Sequence, residues 1–326
     1  MARTAKTSAW VAGNIMRATA FGLATALLTA AGLSAASAAS GPSSLLFVNP
    51  LPKYPAWRLG GDCLAARAKA LNIPETESGS TGGTLDVTVM IQQIQQGIAN
   101  KAGAIVTFPA TAGFTPVLQQ ARKAGIIVGT FYGAAGTEAG AQVNVGANFE
   151  TVGKIYAQAI AARDGEQHVG LMAQGPVGAA KAFVDAFKTE AEKTKNVTVS
   201  AVVFTNDDAS KALDQANALL TAHPEINVIA SHMGTATQGA SAAIKAKHLV
   251  GKVVVVANGA AGGGKEGLDD GTVYKVMLQD ICSAGTNMAD AIAKLAAGEQ
   301  VPAQIDVGVQ MFGKGELEDR LAHGWQ

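Results

Sequence analysis

The chain has 326 residues, 48% of them hydrophobic and 38 of them glycine, which accommodates one large or two medium α/β domains, each with its own core. Lys and Arg total 25 and Asp and Glu total 25, so the chain lacks the clustered positive charge that a nucleic-acid-binding surface needs. Its five histidines show no metal-ligand spacing, and neither a G-x-S-x-G elbow nor a Walker loop occurs.

Arg3, Lys6 and Arg17 stand at the N-terminus without an acid among residues 1–17, an apolar run follows over 18–36, and Ala36-Ser37-Ala38 offers small residues to a signal peptidase. This order reads as a secretory signal peptide over 1–38, cleaved before Ala39. A membrane anchor is the alternative, and the Ala, Thr and Gly content of the run serves it poorly. No cysteine lies near the cleavage site to carry a lipid, so a soluble periplasmic protein is expected. In that oxidising compartment Cys63 and Cys282 are either disulfide partners or buried free thiols.

After a polar linker at 40–44, the β-branched apolar runs at 44–48, 104–108 and 126–131 read as buried parallel strands. Val87, Met90, Ile91, Ile94 and Ile98 repeat at helical spacing within 86–101, and a second helix over 115–124 stops at Gly125. The same grammar restarts after Val145: helix 151–162, strand 168–173, helix 178–193, strand 198–204, helix 209–222, strand 226–231, helix 237–247 and strand 252–257. A strand at 273–279, a helix at 284–297 and an extended segment at 305–312 close the chain. Such alternation predicts parallel sheets covered on both faces, and the plan shared by 104–131 and 227–257 predicts two similar lobes.

The glycine-rich stretch 259–264 lacks the G-x-G-x-x-G order and a following acidic strand end, so it reads as a flexible hinge-side loop. In open α/β sheets ligands sit beyond the carboxyl ends of strands. By that rule the candidate positions are Phe131-Tyr132, the loop at Gln174-Gly175, His232-Met233, Asn258 and Gln279.

Five stretches then carry a resemblance. Tyr54-Pro55-Ala56-Trp57 sits before the first helix; Asp86, Gln92-Gln93 and Ile98 lead to Ala104-Ile105; Ala124-Gly125-Ile126-Ile127-Val128 enters a strand. Val145-Gly146-Ala147-Asn148 with Gly153, and Gly271-Thr272 with Gln279 and Gly285, mark two crossings between lobes. In order and spacing over 44–312 the chain resembles the type I periplasmic binding proteins of sugar importers, the ribose/galactose-type group. The resemblance implies two Rossmann-like lobes with parallel sheets and a three-segment hinge: an N-lobe of 44–145 plus 280–303 and a C-lobe of 146–279 plus 304–326. It implies a monomer that captures a small molecule between the lobes and delivers it to an ABC permease in the inner membrane, with no cofactor, no nucleic acid and no bond chemistry. A sensor presenting its solute to a chemoreceptor or sensor kinase, and an exported α/β enzyme, are the alternatives.

The strand-end rule and the resemblance together assign ligand contacts to Tyr54, Trp57, Phe131, Tyr132, Asn148, Lys181, His232, Met233, Asn258 and Gln279, His232 and Met233 by the strand-end rule alone. Carboxylates of sugar binders are replaced here by Phe131-Tyr132, Asn148, Gly234 and Asn258, and the family's Arg is matched by Lys181. The expected occupant is therefore sugar-like, aromatic or carboxylated, with Lys181 offsetting an anion. In a lobe of strand order 2-1-3-4-5 the first and last helices are neighbours, so Cys63 and Cys282 are expected to pair.

Overall fold

The computed structural model describes residues 42–81, 85–133 and 136–326, and the signal-peptide reading of 1–38 lies outside them. The first half runs β1 (Leu45–Asn49), α1 (Pro55–Ala70), β2 (Glu75–Gly79), α2 (Val87–Ala99), β3 (Ala104–Thr107), α3 (Phe114–Lys123), β4 (Ile127–Phe131) and β5 (Val143–Gly146). The second runs α4 (Phe149–Ala161), β6 (Gln167–Ala173), α5 (Gly178–Ala191), β7 (Val197–Phe204), α6 (Ala209–Ala222), β8 (Val228–Ser231), α7 (Gly234–Ala246), β9 (Val254–Asn258), α8 (Gly264–Asp270) and β10 (Val273–Gln279). The chain closes with α9 (Ile281–Ala296), β11 (Gln304–Asp306), β12 (Val309–Phe312) and α10 (Leu317–Ala322).

Two sheets result. The first has the order β2-β1-β3-β4-β5-β11 and is parallel throughout; the second has the order β7-β6-β8-β9-β10-β12, with only β12 antiparallel. Each repeats one 2-1-3-4-5 plan, the doubly wound order whose reversal opens a crevice at the strands' carboxyl ends.

The alternation of side chains along each strand sets the layers. Leu45, Phe47, Ala104 and Val106 join the core shared with Leu64 of α1 and Met288 of α9, whereas Val48 and Ile105 pack with Met90 of α2 and Leu118 of α3. In the second sheet Val228 and Ala230 meet Tyr156 of α4 and Phe183 of α5, while Ile229 meets Ala216 of α6 and Ala240 of α7. Both faces of both sheets are thus covered, which is why the strands read as unbroken apolar runs.

Asp86, Asn148, Asp208 and Asp280 accept backbone N–H bonds at the starts of α2, α4, α6 and α9, at 2.8–3.2 Å. The pair α1 and α9 meets through glycines: a Cβ on Gly285 would stand 2.3 Å from the carbonyl oxygen of Gly60. One turn further on, Cys63 and Cys282 are joined in a disulfide, with Cα atoms 5.2 Å apart.

The chain crosses between sheets at Ala147-Asn148, at Asp280 and at Val307-Gly308. The crossings are tied to one another, Val307 N donating to Gly146 O at 3.2 Å and Asp280 N to Gly308 O at 2.9 Å. The third crossing corrects the expected boundary at 304. Gln304 and Ile305 pair with Asn144 and Val145, so β11 extends the first sheet. Asn144 drives this by donating its backbone N–H to Ala303 O at 2.8 Å and its Nδ2 to Gln304 Oε1 at 2.7 Å. Without β11, β5 would be a bare sheet edge. No described helix is long and apolar enough to cross a membrane.

Candidate functional site

The carboxyl ends of both sheets look onto one cavity of about 210 Å³. From the first lobe Phe47, Tyr54, Trp57, Phe108, Phe131 and Tyr132 line it. Trp57 projects from the first turn of α1 and makes ring contacts with Phe108 at 5.4 Å, Phe131 at 6.3 Å and Tyr132 at 5.8 Å between centroids. The last two contacts are edge-on, at 69° and 89°, so the rings form a corner.

Tyr132 is held there against its backbone preference. Its φ is +52°, the left-handed region that bulky residues avoid, and such outliers concentrate at functional positions. Two partners hold the turn: Tyr132 N donates to Val145 O at 3.1 Å, and Gly133 N donates to Asn144 Oδ1 at 2.8 Å. Gly146 completes the fit, since a Cβ there would stand 2.7 Å from Cδ1 of the Tyr132 ring. The Tyr132 hydroxyl is buried without a hydrogen-bond partner, and burial pushes its pKa up.

The second lobe contributes Phe149, Gln174, Asp207, His232, Met233 and Asn258. His232 is 1% exposed, lies between Phe149 at 4.9 Å and Phe183 at 5.2 Å, and has no partner on either ring nitrogen. Burial lowers its pKa to about 4, so the ring is neutral at ordinary pH, with one donor and one acceptor nitrogen. Asn258 Nδ2 donates to the His232 carbonyl and so fixes the loop that carries the ring. Asp207 accepts from Thr235 Oγ1 at 2.5 Å, and burial, followed by the charge of Asp207, raises the pKa of Tyr54. Gln279, at the second crossing, lines the cavity with its Oε1 buried and unpartnered.

Eight of the ten residues expected from sequence thus share one cavity: Tyr54, Trp57, Phe131, Tyr132, His232, Met233, Asn258 and Gln279. Asn148 and Lys181 are not among the lining residues. Asn148 is spent as the cap of α4 and on a 3.4 Å contact with Asp306 in the hinge. Lys181 leaves 60% of its side chain exposed on α5 and pairs with Asp185 one turn along. Phe47, Phe108, Phe149 and Asp207 line the cavity and were not singled out, although Phe108, Phe149 and Asp207 lie within a few residues of strand ends. In the stretch 259–264, Gly259, Ala260 and Ala261 line the cavity, Gly262 and Gly263 adopt φ of +71° and +92°, and Gly264 opens α8. Among the described residues no cluster of metal-ligating side chains occurs.

The sequence profile described as periplasmic binding protein domain matches residues 45–300. No curated protein matches the chain by sequence. Among solved structures, a glucose-galactose binding protein from Geobacillus stearothermophilus is similar at 19% identity with a TM-score of 0.77, over 85% of this chain and 99% of that one. An ABC transporter solute binding protein from Agrobacterium vitis, bound with α-D-tagatopyranose, gives 20% identity and a TM-score of 0.76 over 86% and 98%. A periplasmic ribose ABC transporter protein from Conexibacter woesei gives 20% identity and a TM-score of 0.75 over 87% and 96%.

Proposed function

The chain belongs to the periplasmic binding protein family, and from that premise we propose that it is an exported receptor that encloses a small organic molecule between its lobes and hands it to an ABC permease. The observation that carries this reading is the cavity itself, built from strand ends of both sheets and bordered by the second crossing at Gln279. A ligand held there touches both lobes, so it stabilises the closed arrangement over an open one. The two lobe surfaces brought into fixed register are what a permease would read. The similar structures from Agrobacterium vitis and Geobacillus stearothermophilus are described as carrying or binding monosaccharides, and a cavity of about 210 Å³ suits an occupant of that size class.

Binding without bond chemistry is favoured by the state of His232. It is the cavity's histidine, and neither of its nitrogens meets a hydroxyl or thiol that it could activate. The boundaries that go with this reading are a first lobe closing at Asp306 and a second lobe taking over from Val309, acting together as a monomer.

Native mass spectrometry of freshly purified protein is the test. Wild-type protein should release one small molecule, or rebind one from a metabolite extract, and Trp57→Ala should lose it. If wild type retains no small molecule from either source, the receptor reading falls.

A further inference from the structure

Resting on the receptor reading, we propose that the occupant is an uncharged planar ring compound bearing hydrogen-bond donors and acceptors on its edge, such as a phenol or a nitrogen heterocycle, rather than a polyol or a carboxylate.

Size comes first. An apolar cavity of about 150 Å³ holds a benzene ring, so about 210 Å³ holds one substituted ring or a small fused pair. Shape agrees: the corner made by Trp57, Phe131 and Tyr132 offers ring faces to a flat guest, and Phe149 supplies a ring from the other lobe.

Charge is decided by the lining. Among the described residues no Lys or Arg lines the cavity, and Lys181, the one cation expected there, is outside it and paired with Asp185. The acid present is Asp207, beside the start of α7, where it already offsets the helix's positive end. An anionic guest would be buried without a counter-charge and next to a carboxylate, which is costly. The neutral ring of His232 sits in the same wall and offers no compensating positive charge.

Polarity separates a ring compound from a polyol. Three residues that line the cavity carry four buried polar atoms without partners: Tyr132 Oη, both nitrogens of His232 and Gln279 Oε1. Their capacity is a hydroxyl, one N–H donor, one nitrogen acceptor and one carbonyl acceptor. Buried groups of this kind are satisfied in a functional state, because each left unmade costs free energy. The set matches the edge of a ring that carries one or two N–H or O–H groups and an acceptor. A ring-form sugar could stack its C–H faces on Trp57 or Phe131, but its rim of hydroxyls would outnumber these partners, and the carboxylate of the described lining, Asp207, is already bonded to Thr235. Asn258 does not change the count toward a sugar, since its Nδ2 is engaged by the His232 carbonyl.

Titration calorimetry of the protein at pH 7.5 against four arms tests this: catechol, uracil and indole; D-glucose and D-ribose; benzoate; and benzyltrimethylammonium. The first arm should contain binders, and His232→Phe, which keeps the ring and removes both nitrogens, should weaken them about tenfold or more while circular dichroism stays that of wild type. Tyr132→Phe, which removes only the hydroxyl, should weaken them in the same direction. Binding confined to the sugars, to benzoate or to the cation overturns the proposed class and leaves the receptor reading standing. So does a first-arm binder that neither variant weakens. If no arm binds, the molecule retained from a metabolite extract decides: an uncharged ring compound supports the class, and a polyol or an ion overturns it. Retention of nothing sinks both this inference and the receptor reading.

Discussion

His232 couples the site to the stability of the fold through its protonation. Its pKa is about 4 in the folded chain because burial between Phe149 and Phe183 disfavours the cation. In the unfolded chain the ring titrates near its ordinary value, about 6.5. Between those values the unfolded state binds the extra proton, so stability is fully present above about pH 6.5 and is lost as pH falls toward about 4. The slope is about 1.4 kcal/mol per pH unit and the total is roughly 3 kcal/mol. Glu75 works the other way, since burial and the neighbouring Glu77 raise its carboxyl pKa. The measurement is therefore a difference: urea melts of wild type and His232→Phe between pH 4 and 8. Wild type should lose more stability than the variant across this window, and parallel curves would mean that His232 is not buried as a neutral ring. The site was legible at this scale wherever a side chain stands at the carboxyl end of a strand, as Phe131, His232, Asn258 and Gln279 do. It was not legible where a helix decides direction. Lys181 lies on α5, whose buried positions Ala180, Phe183 and Val184 turn it outward, and spacing alone does not say where that helix starts. Asn148 looked like a ligand group and is a helix cap, two roles that ask for the same short polar side chain. Phe47 gave no sign at all, because a phenylalanine inside a buried strand reads as core.

Glycines and one disulfide settle how the helices sit. Gly285 on α9 faces the backbone of α1, and Gly153 on α4 faces that of α5, where a Cβ would stand 2.4 Å from Phe183 O. In both lobes the obstacle is backbone, which cannot swing aside as a side chain can. Gly285→Ala and Gly153→Ala should each cost about 1–3 kcal/mol by denaturant melts. Losses below half a kcal/mol would mean that the helices are free to part. The bridge Cys63–Cys282 pins the same α1–α9 contact across a sequence separation of 219 residues. Removing it as the Cys63→Ser/Cys282→Ser pair should cost about 2–5 kcal/mol, because the unfolded chain regains the freedom that the loop denies it. Thiol counting on denatured protein should find none before reduction and two after it. Most helices and central strands were legible from their periodicity, but β2 was not. Glu75–Gly79 is an edge strand of sequence ETESG, half-exposed, and an edge that meets water on one side needs no apolar run. The last strands misled for another reason. Residues 305–312 look like one extended piece, yet Gln304–Asp306 and Val309–Phe312 serve different sheets, and the break at Val307-Gly308 carries no turn signal stronger than one glycine.

In the proposed receptor the lobes part to admit a ligand and close around it. Tyr54 of the first lobe reaches over the mouth of the second, its hydroxyl 3.0 Å from where a Cβ on Gly234 would lie, so the lobes come close across the cavity at Gly234. The three crossings that must flex are short and hydrogen-bonded to one another, through Val307 to Gly146 and Asp280 to Gly308, which favours rotation as a unit over independent bending. Closure is then an equilibrium that the ligand biases by contacting both lobes, and moving it from 1:99 to 99:1 takes about 5.5 kcal/mol of differential binding. Aromatic surface on both sides of the cleft is a suitable source of that difference wherever closure removes more of it from water. Small-angle scattering should therefore show a smaller radius of gyration for the liganded protein than for the free one. Gly234→Leu provides the decisive contrast. The new side chain would occupy the space under the Tyr54 hydroxyl, holding the lobes apart while leaving both sheets and the ring corner around Trp57 untouched. This variant should keep the wild-type circular dichroism, bind the ligand more weakly, and show the larger radius with or without it. A radius that does not change on saturation of the wild-type protein, or a variant that still contracts, would mean that the cavity fills without hinge motion.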